Sequence, residues 1–387
     1  MRAPRHCRAG HVVISLPRPM PLFCLLQYMQ ARRFLRSLWV CTAVVSVAGS
    51  LVLCVQSGYA VPVVPPEATR ELPFSDELLQ ALASHPQWHA LLHYDSLLTA
   101  TSPRSRALPS EFFLSEKGRT DPRKELEATL RGLYARTPAD DDHVRCRFPA
   151  RARWIAQALG SDGNSLPHIS CSRFDQWYSS INPESVTLIF PTSFLNNPAS
   201  AFGHTFLRLD QKGVADDARL LDYSADFAAS TGSSAGIVYA VKGVVGGFDG
   251  YYSVAPFARK VEKYSDFENR DIWEYRLNFS DEEVATLVAH LWELREMPFT
   301  YYYFDENCSY HILALLDVAR PSLGLVQSMR SWVIPVDSIR QLLQRPGLIQ
   351  KVTFRPSAAT KLRSRIEASP RNAQVAALEV ATTRQPI

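Results

Sequence analysis

Arg32, Arg33 and Arg36 precede a stretch from Leu38 to Val55 that carries no charge, and Gly58, Tyr59 and Ala60 follow with small residues at signal-peptidase spacing. This is the pattern of an export signal, with cleavage expected after Ala60 and an uncleaved N-terminal membrane anchor as the alternative. Export constrains the fold more than any other feature, because it delivers the rest of the chain to a compartment where thiols pair. Cys7, Cys24, Cys41 and Cys54 belong to the leader, which leaves Cys146, Cys171 and Cys308 beyond it. An odd count in an oxidising compartment predicts one disulfide and one free thiol. Cys146 and Cys171 lie close in sequence and flank a short helical segment, so they are the natural pair. Closing a loop of that size adds roughly 3 kcal/mol on chain-entropy grounds. Cys308 is then the odd thiol. Nothing after Val63 is long and apolar enough to span a bilayer, so the expected location is the periplasm or cell envelope.

Charge excludes one class of partner. The net charge is +4, and much of the excess sits in the arginines of the leader, which meet no acid there. The remainder is close to neutral and has no basic stripe with interleaved aromatics, so no nucleic acid is expected. A hydrophobic fraction of 46% with 21% charged residues is enough to pack a core and too apolar for a disordered chain.

The chain divides into four parts. Residues 1–60 are the leader, and 61–140 combine a proline-rich linker with a helical module. In that module Thr120-Asp121-Pro122 opens a helix whose Leu126, Leu130, Leu133 and Tyr134 form one apolar stripe. Residues 141–320 are the catalytic domain and 321–387 a C-terminal extension ending in a partly disordered tail. Within 141–320, Ser185–Phe190 reads as a buried strand. Thr205–Leu209, Arg219–Tyr223 and Trp273–Leu277 alternate as strands, and glycines divide 236–255 into short strand-like pieces. Ser280 and Glu283 make a capping box for a helix. Asp305-Glu306-Asn307 is a cap-like break, after which Cys308 opens an apolar helix.

That position matters chemically. A thiolate is the nucleophile, and the positive end of a helix dipole favours it. Amides of the first turn around Asn307 and Ser309 can hold an oxyanion. The bland alternative is an inert buried cysteine. The base must be a histidine on a separate element. His204 starts a strand after a small-residue approach, in which Asn197, Ser200 and Gly203 would let a substrate come near the ring; the alternative is a core histidine satisfied by a carbonyl. His311, three residues after Cys308, is read as packing. His89 and His93 are spaced to clamp a metal but lack a third ligand nearby, so neither metal nor cofactor is expected. Asp222 and Asp226 both follow on the next strand as candidates to orient the imidazole, with Asp226 preferred. The many carboxylates contain no pair whose spacing singles out a glycosidase.

The stretches NNPASAFGHTFLRLD (196–210), VKGVVGGFDGYYSV (241–254), RDIWEYRL (270–277) and YYYFDENCSYHILALLDVA (301–319) resemble the Lnb N-terminal periplasmic domain family, as do 110–130 and 146–155 upstream. The resemblance covers roughly residues 80–320. A histidine strand before an Asn-Cys helix start also resembles a circularly permuted NlpC/P60, papain-like fold. The fold class expected is therefore α+β, a permuted papain-like domain preceded by a helical module. The resemblance implies N-acylation of bacterial lipoproteins, with Cys308 carrying the acyl group from a phospholipid or lipoprotein donor and His204 shuttling the proton. Family acyltransferases continue into a C-terminal membrane region, whereas this chain ends in a polar stretch, so contact with a membrane surface falls to the N-terminal anchor or a partner. A peptidoglycan amidase or cysteine peptidase acting on cell-wall peptide is the alternative enzyme, and a non-catalytic envelope interaction protein the alternative outside enzymology.

Overall fold

The structure, a computed structural model, describes residues 72–94, 103–108, 110–160, 166–193, 202–230, 232, 236–329 and 333–383. The leader with its apolar run, and the site candidates Asn197 and Ser200, lie outside the described residues. Among those described, no helix is long and apolar enough to cross a membrane.

Mixed helix and antiparallel sheet form the α+β architecture expected. The strands are β1 (Pro183–Pro191), β2 (Phe206–Gln211), β3 (Tyr223–Ser230), β4 (Phe248–Pro256), β5 (Ile272–Leu277), β6 (Phe299–Tyr301) and β7 (Ile349–Arg355). They make one sheet in the order β6-β4-β3-β2-β1-β5-β7, every pairing antiparallel. β1 and β2 are central and rich in branched and aromatic side chains, which suit a pleated surface buried on both sides.

The period of two sends alternate residues to opposite faces. Val186, Leu188, Leu207, Leu209, Ala225 and Phe227 join the main core with Leu287, Val288, Leu291, Ile312, Leu313 and Leu316 from two helices. The other face carries Ile189, Phe206 and Ile272, covered by Phe257, Val261 and Tyr264. Beside that second cluster runs a buried polar network. Arg208 donates to Asp210 at 2.6 Å and to Glu274 at 2.6 Å, while Ser185 and Thr187 hydroxyls donate to the second Asp210 oxygen. Charges this deep persist because each is paired and hydrogen-bonded.

The N-terminal helices pack on the same core. Leu126, Leu130 and Leu133 of the helix Pro122–Tyr134 are all buried, as their spacing requires. Arg151, wholly buried, lies against the Phe112 and Phe148 rings and meets Glu125 at 3.0 Å. Glu293, from the helix Asp281–Leu294, accepts from the amides of Ala150 and Arg151 at 2.7 and 3.0 Å. The capping box forms at that helix, with Ser280 Oγ accepting from the Glu283 amide and the Glu283 carboxylate from the Ser280 amide. Cys146 and Cys171 are disulfide-bonded, their Cα atoms 5.1 Å apart.

Three segments differ from the sequence reading. Asp216–Leu221 is a 3-10 turn, so strand structure begins only at Tyr223. Gly236–Val245 is a helix ahead of β4. Beyond 320, β7 supplies the sheet's edge beside β5, and helices Ala358–Ala368 and Arg371–Thr383 follow. The polar composition of that stretch reflects solvent-facing strand and helix surface.

Candidate active site

Cys308 is the first residue of the helix here called α1 (Cys308–Ala319), 4% exposed and the free cysteine of the described residues. Asn307 makes the helix begin there. Its Oδ1 accepts from the amides of Ser309 and Tyr310, and its Nδ2 donates to the carbonyls of Tyr303 at 3.0 Å and Val333 at 2.6 Å. Both ends of the carboxamide are thereby occupied, and the Ser309 amide is committed to the cap. Buried Ser309 packs its hydroxyl 3.5 Å from Thr205 Oγ1, which also meets Ser338 at 3.1 Å.

His204 stands two residues before β2 on the face of Phe206, its ring centre 6.0 Å from that of Phe206 and 5.8 Å from that of Tyr264. Gly203 precedes it with φ +93, and a Cβ there would fall 2.7 Å from the Phe190 ring. The sequence reading placed Gly203 beside substrate, whereas in the fold its hydrogen faces Phe190. The His204 side chain is 15% exposed, and its Nε2 lies 2.8 Å from Asp226 Oδ1. That leaves Nδ1 for the thiol, which the ring hydrogen-bonds. Asp226, in β3, is itself buried and ion-paired through Oδ2 with Lys260. Asp222, the other carboxylate considered, accepts instead from the Gln211 amide at 3.0 Å and sits beside Arg208 and Arg219.

The electrostatics follow from this chain of groups. Burial by itself works against an imidazolium, but the Cys308 thiolate and the Asp226 carboxylate outweigh it and raise His204 to about 9. Burial likewise opposes the thiolate, and the His204 charge, its hydrogen bond and the Thr205 amide together bring Cys308 below the ordinary thiol value. Burial of Asp226 is overcome by His204 and then Lys260, which hold its carboxyl well below the usual range. The site thus lines up a thiol, an imidazole, a carboxylate and a lysine, an order in which each group favours the charged form of its neighbour. A thiolate at a helix start, with a charged proton donor on it, can attack a carbonyl carbon and protonate the leaving group.

The other histidines serve elsewhere. His311 is buried, stacks on Phe227 at 3.6 Å between ring centres and bonds the Tyr252 hydroxyl at 3.1 Å. His89 bonds the Ala83 carbonyl, while His93 faces His290 at 3.0 Å between ring nitrogens. Lys260 and Tyr264 were not foreseen from sequence: nothing local marks a lysine that pairs with a carboxylate on a distant strand.

No curated protein and no solved structure matches the chain. Residues 80–158 match a family described as a domain of unknown function, DUF7843. Residues 173–345, which contain His204, Asp226, Lys260 and Cys308, match the Lnb N-terminal periplasmic domain. This region of the chain thus matches the Lnb N-terminal periplasmic domain family, which points to a periplasmic, envelope-associated protein.

Proposed function

We propose that the protein is a thiol-dependent acyltransferase that N-acylates bacterial lipoproteins, built on a circularly permuted NlpC/P60-like domain. The observation that carries this reading is the buried Cys308–His204–Asp226 chain at a helix start, with the thiol lowered and the imidazole raised. The Cys308 thiolate attacks the carbonyl carbon of an acyl ester on a phospholipid or lipoprotein. A carbon–sulfur bond forms, the carbon–oxygen bond breaks, and the imidazolium gives its proton to the departing alkoxide. The neutral ring then takes a proton from the α-amino group of a lipoprotein's N-terminal cysteine as that nitrogen attacks the thioester. The amide forms, the carbon–sulfur bond breaks, and the thiolate returns beside a protonated ring. Asp226 holds the ring's orientation and stabilises its charge throughout, and the start of the helix at Cys308 favours the developing negative charge.

The test is mass spectrometry of lipoprotein N-termini from cells carrying the wild-type protein or Cys308→Ala. N-acylated termini are expected with the wild type and their loss with the variant. Identical N-termini in the two strains would overturn the proposal, and release of cell-wall peptide fragments by the purified protein would point to hydrolysis instead.

A further inference from the structure

We propose that Lys260 is a positioning residue of this site: its ammonium clamps one Asp226 oxygen so that the other is aimed at His204 Nε2. The inference rests on the proposed thiol chemistry and adds to it a charged residue outside the Cys–His–Asp set. Asp226 is 3% exposed, with Oδ1 on His204 and Oδ2 on Lys260, so both of its oxygens are taken from opposite sides. Lys260 reaches it from the short helix Phe257–Val261, which is pinned by buried Phe257 and Val261 and by the Phe257 amide on the Asp222 carbonyl at 2.8 Å. The ammonium also lies 5.9 Å from the Phe206 ring centre, on the face that His204 occupies. Without it, a buried carboxylate oxygen would lack a partner and the carboxylate could turn away from the ring.

Among the described residues, Arg208 lies 5.2 Å from the Phe257 ring of the same short helix, held by Asp210 and Glu274. Tyr264 and Cys308 face the Lys260–Asp226 pair from the following segment and from α1. Arg270 lies over the Tyr264 ring at 4.8 Å and is paired with Glu268, while Lys263 lies 5.0 Å from the same ring. From the 3-10 turn, Arg219 and Asp216 pair with each other, and Asp216 also with Lys351. Asp249 stands at the distant end of β4, opposite Ser230. Lys260 is thus the cation in direct contact with Asp226 that does not itself take part in proton transfer. Removing a positive charge here strengthens the field of the carboxylate on both titrating partners, so the thiolate forms at higher pH.

The readout is the pH dependence of Cys308 alkylation by iodoacetamide in the full chain, followed on the Cys308 peptide by mass spectrometry so that other thiols do not interfere. Lys260→Met is expected to move the midpoint up by about one pH unit, the scale of one partly screened charge acting across the carboxylate. Lys260→Arg is expected to restore the wild-type midpoint. Lys260→Gln keeps a donor without the charge, gives the same upward shift, and serves if Lys260→Met does not fold. A Lys260→Met or Lys260→Gln profile superimposed on the wild type, or a Lys260→Arg profile shifted as far as theirs, would overturn the inference while leaving the thiolate intact. A wild-type profile in the ordinary thiol range would instead overturn the thiol–imidazolium reading, and the Lys260 role with it.

Discussion

Gly203 and His204 show how closely backbone and chemistry are joined at the level of one residue. With φ +93 and the Phe190 ring where a Cβ would go, position 203 admits only glycine without movement. Gly203→Ala is expected to cost about 2 kcal/mol, measured as a lowered urea unfolding midpoint, because it adds both backbone strain and a clash. An unchanged midpoint would show that the approach to His204 is loose. At this scale Cys308 was legible as the odd thiol at a helix start, whereas His204, two residues before β2, was named mainly from the family resemblance. Asp222 and Asp226 could not be separated by pattern. Asp222 ends the 3-10 turn beside Arg208 and Arg219, while four residues on Asp226 meets the histidine. Asn307 was read with the first-turn oxyanion donors, and in the fold its side-chain amide is engaged by backbone on both sides.

Elements explain why that asparagine matters. The helix Cys308–Ala319 is apolar along its length and buried, and its start is set by the Asn307 cap. Asn307→Ala removes the cap and the side-chain bonds to the Tyr303 and Val333 carbonyls, an expected loss of about 2–3 kcal/mol. The same variant should also slow Cys308 alkylation at neutral pH as the helix start frays. Full stability and full reactivity together would contradict the cap's role. The strands at 185–190, 206–209 and 273–277 and the Ser280 capping box were readable because alternation and capping are local signals. Gly236–Val245 was not, since its valines and glycines favour strand-like pieces by propensity and the helix forms against that preference. Arg219–Tyr223 alternates in sequence, but its first part turns tightly so that Arg219 can reach Asp216 and the Gln211 carbonyl.

At the scale of the whole molecule, the site is a product of sheet order. Antiparallel pairing sets β3 beside β2, which brings Asp226 against His204, and a helix docked on those strands supplies Cys308. The helix Phe257–Val261 covers the opposite face and delivers Lys260. No single stretch of sequence contains this constellation, which is why the histidine was named mainly from the family resemblance and the lysine beyond Asp226 was not named at all. The C-terminal residues add β7 to the same sheet, through Arg355 on Glu274 at 3.1 Å and the pairing with β5, a contribution their polar composition concealed. What the assembled molecule must deliver is a thiolate stabilised by an imidazolium. The ring-nitrogen NMR signals of His204, followed against pH in the wild type and in Cys308→Ala, report that pairing without any substrate. The account predicts a wild-type His204 that stays protonated through neutral pH and titrates at about 9, falling when the Cys308 charge is removed. A wild-type His204 that titrates at the ordinary 6.5, unchanged in Cys308→Ala, would contradict it.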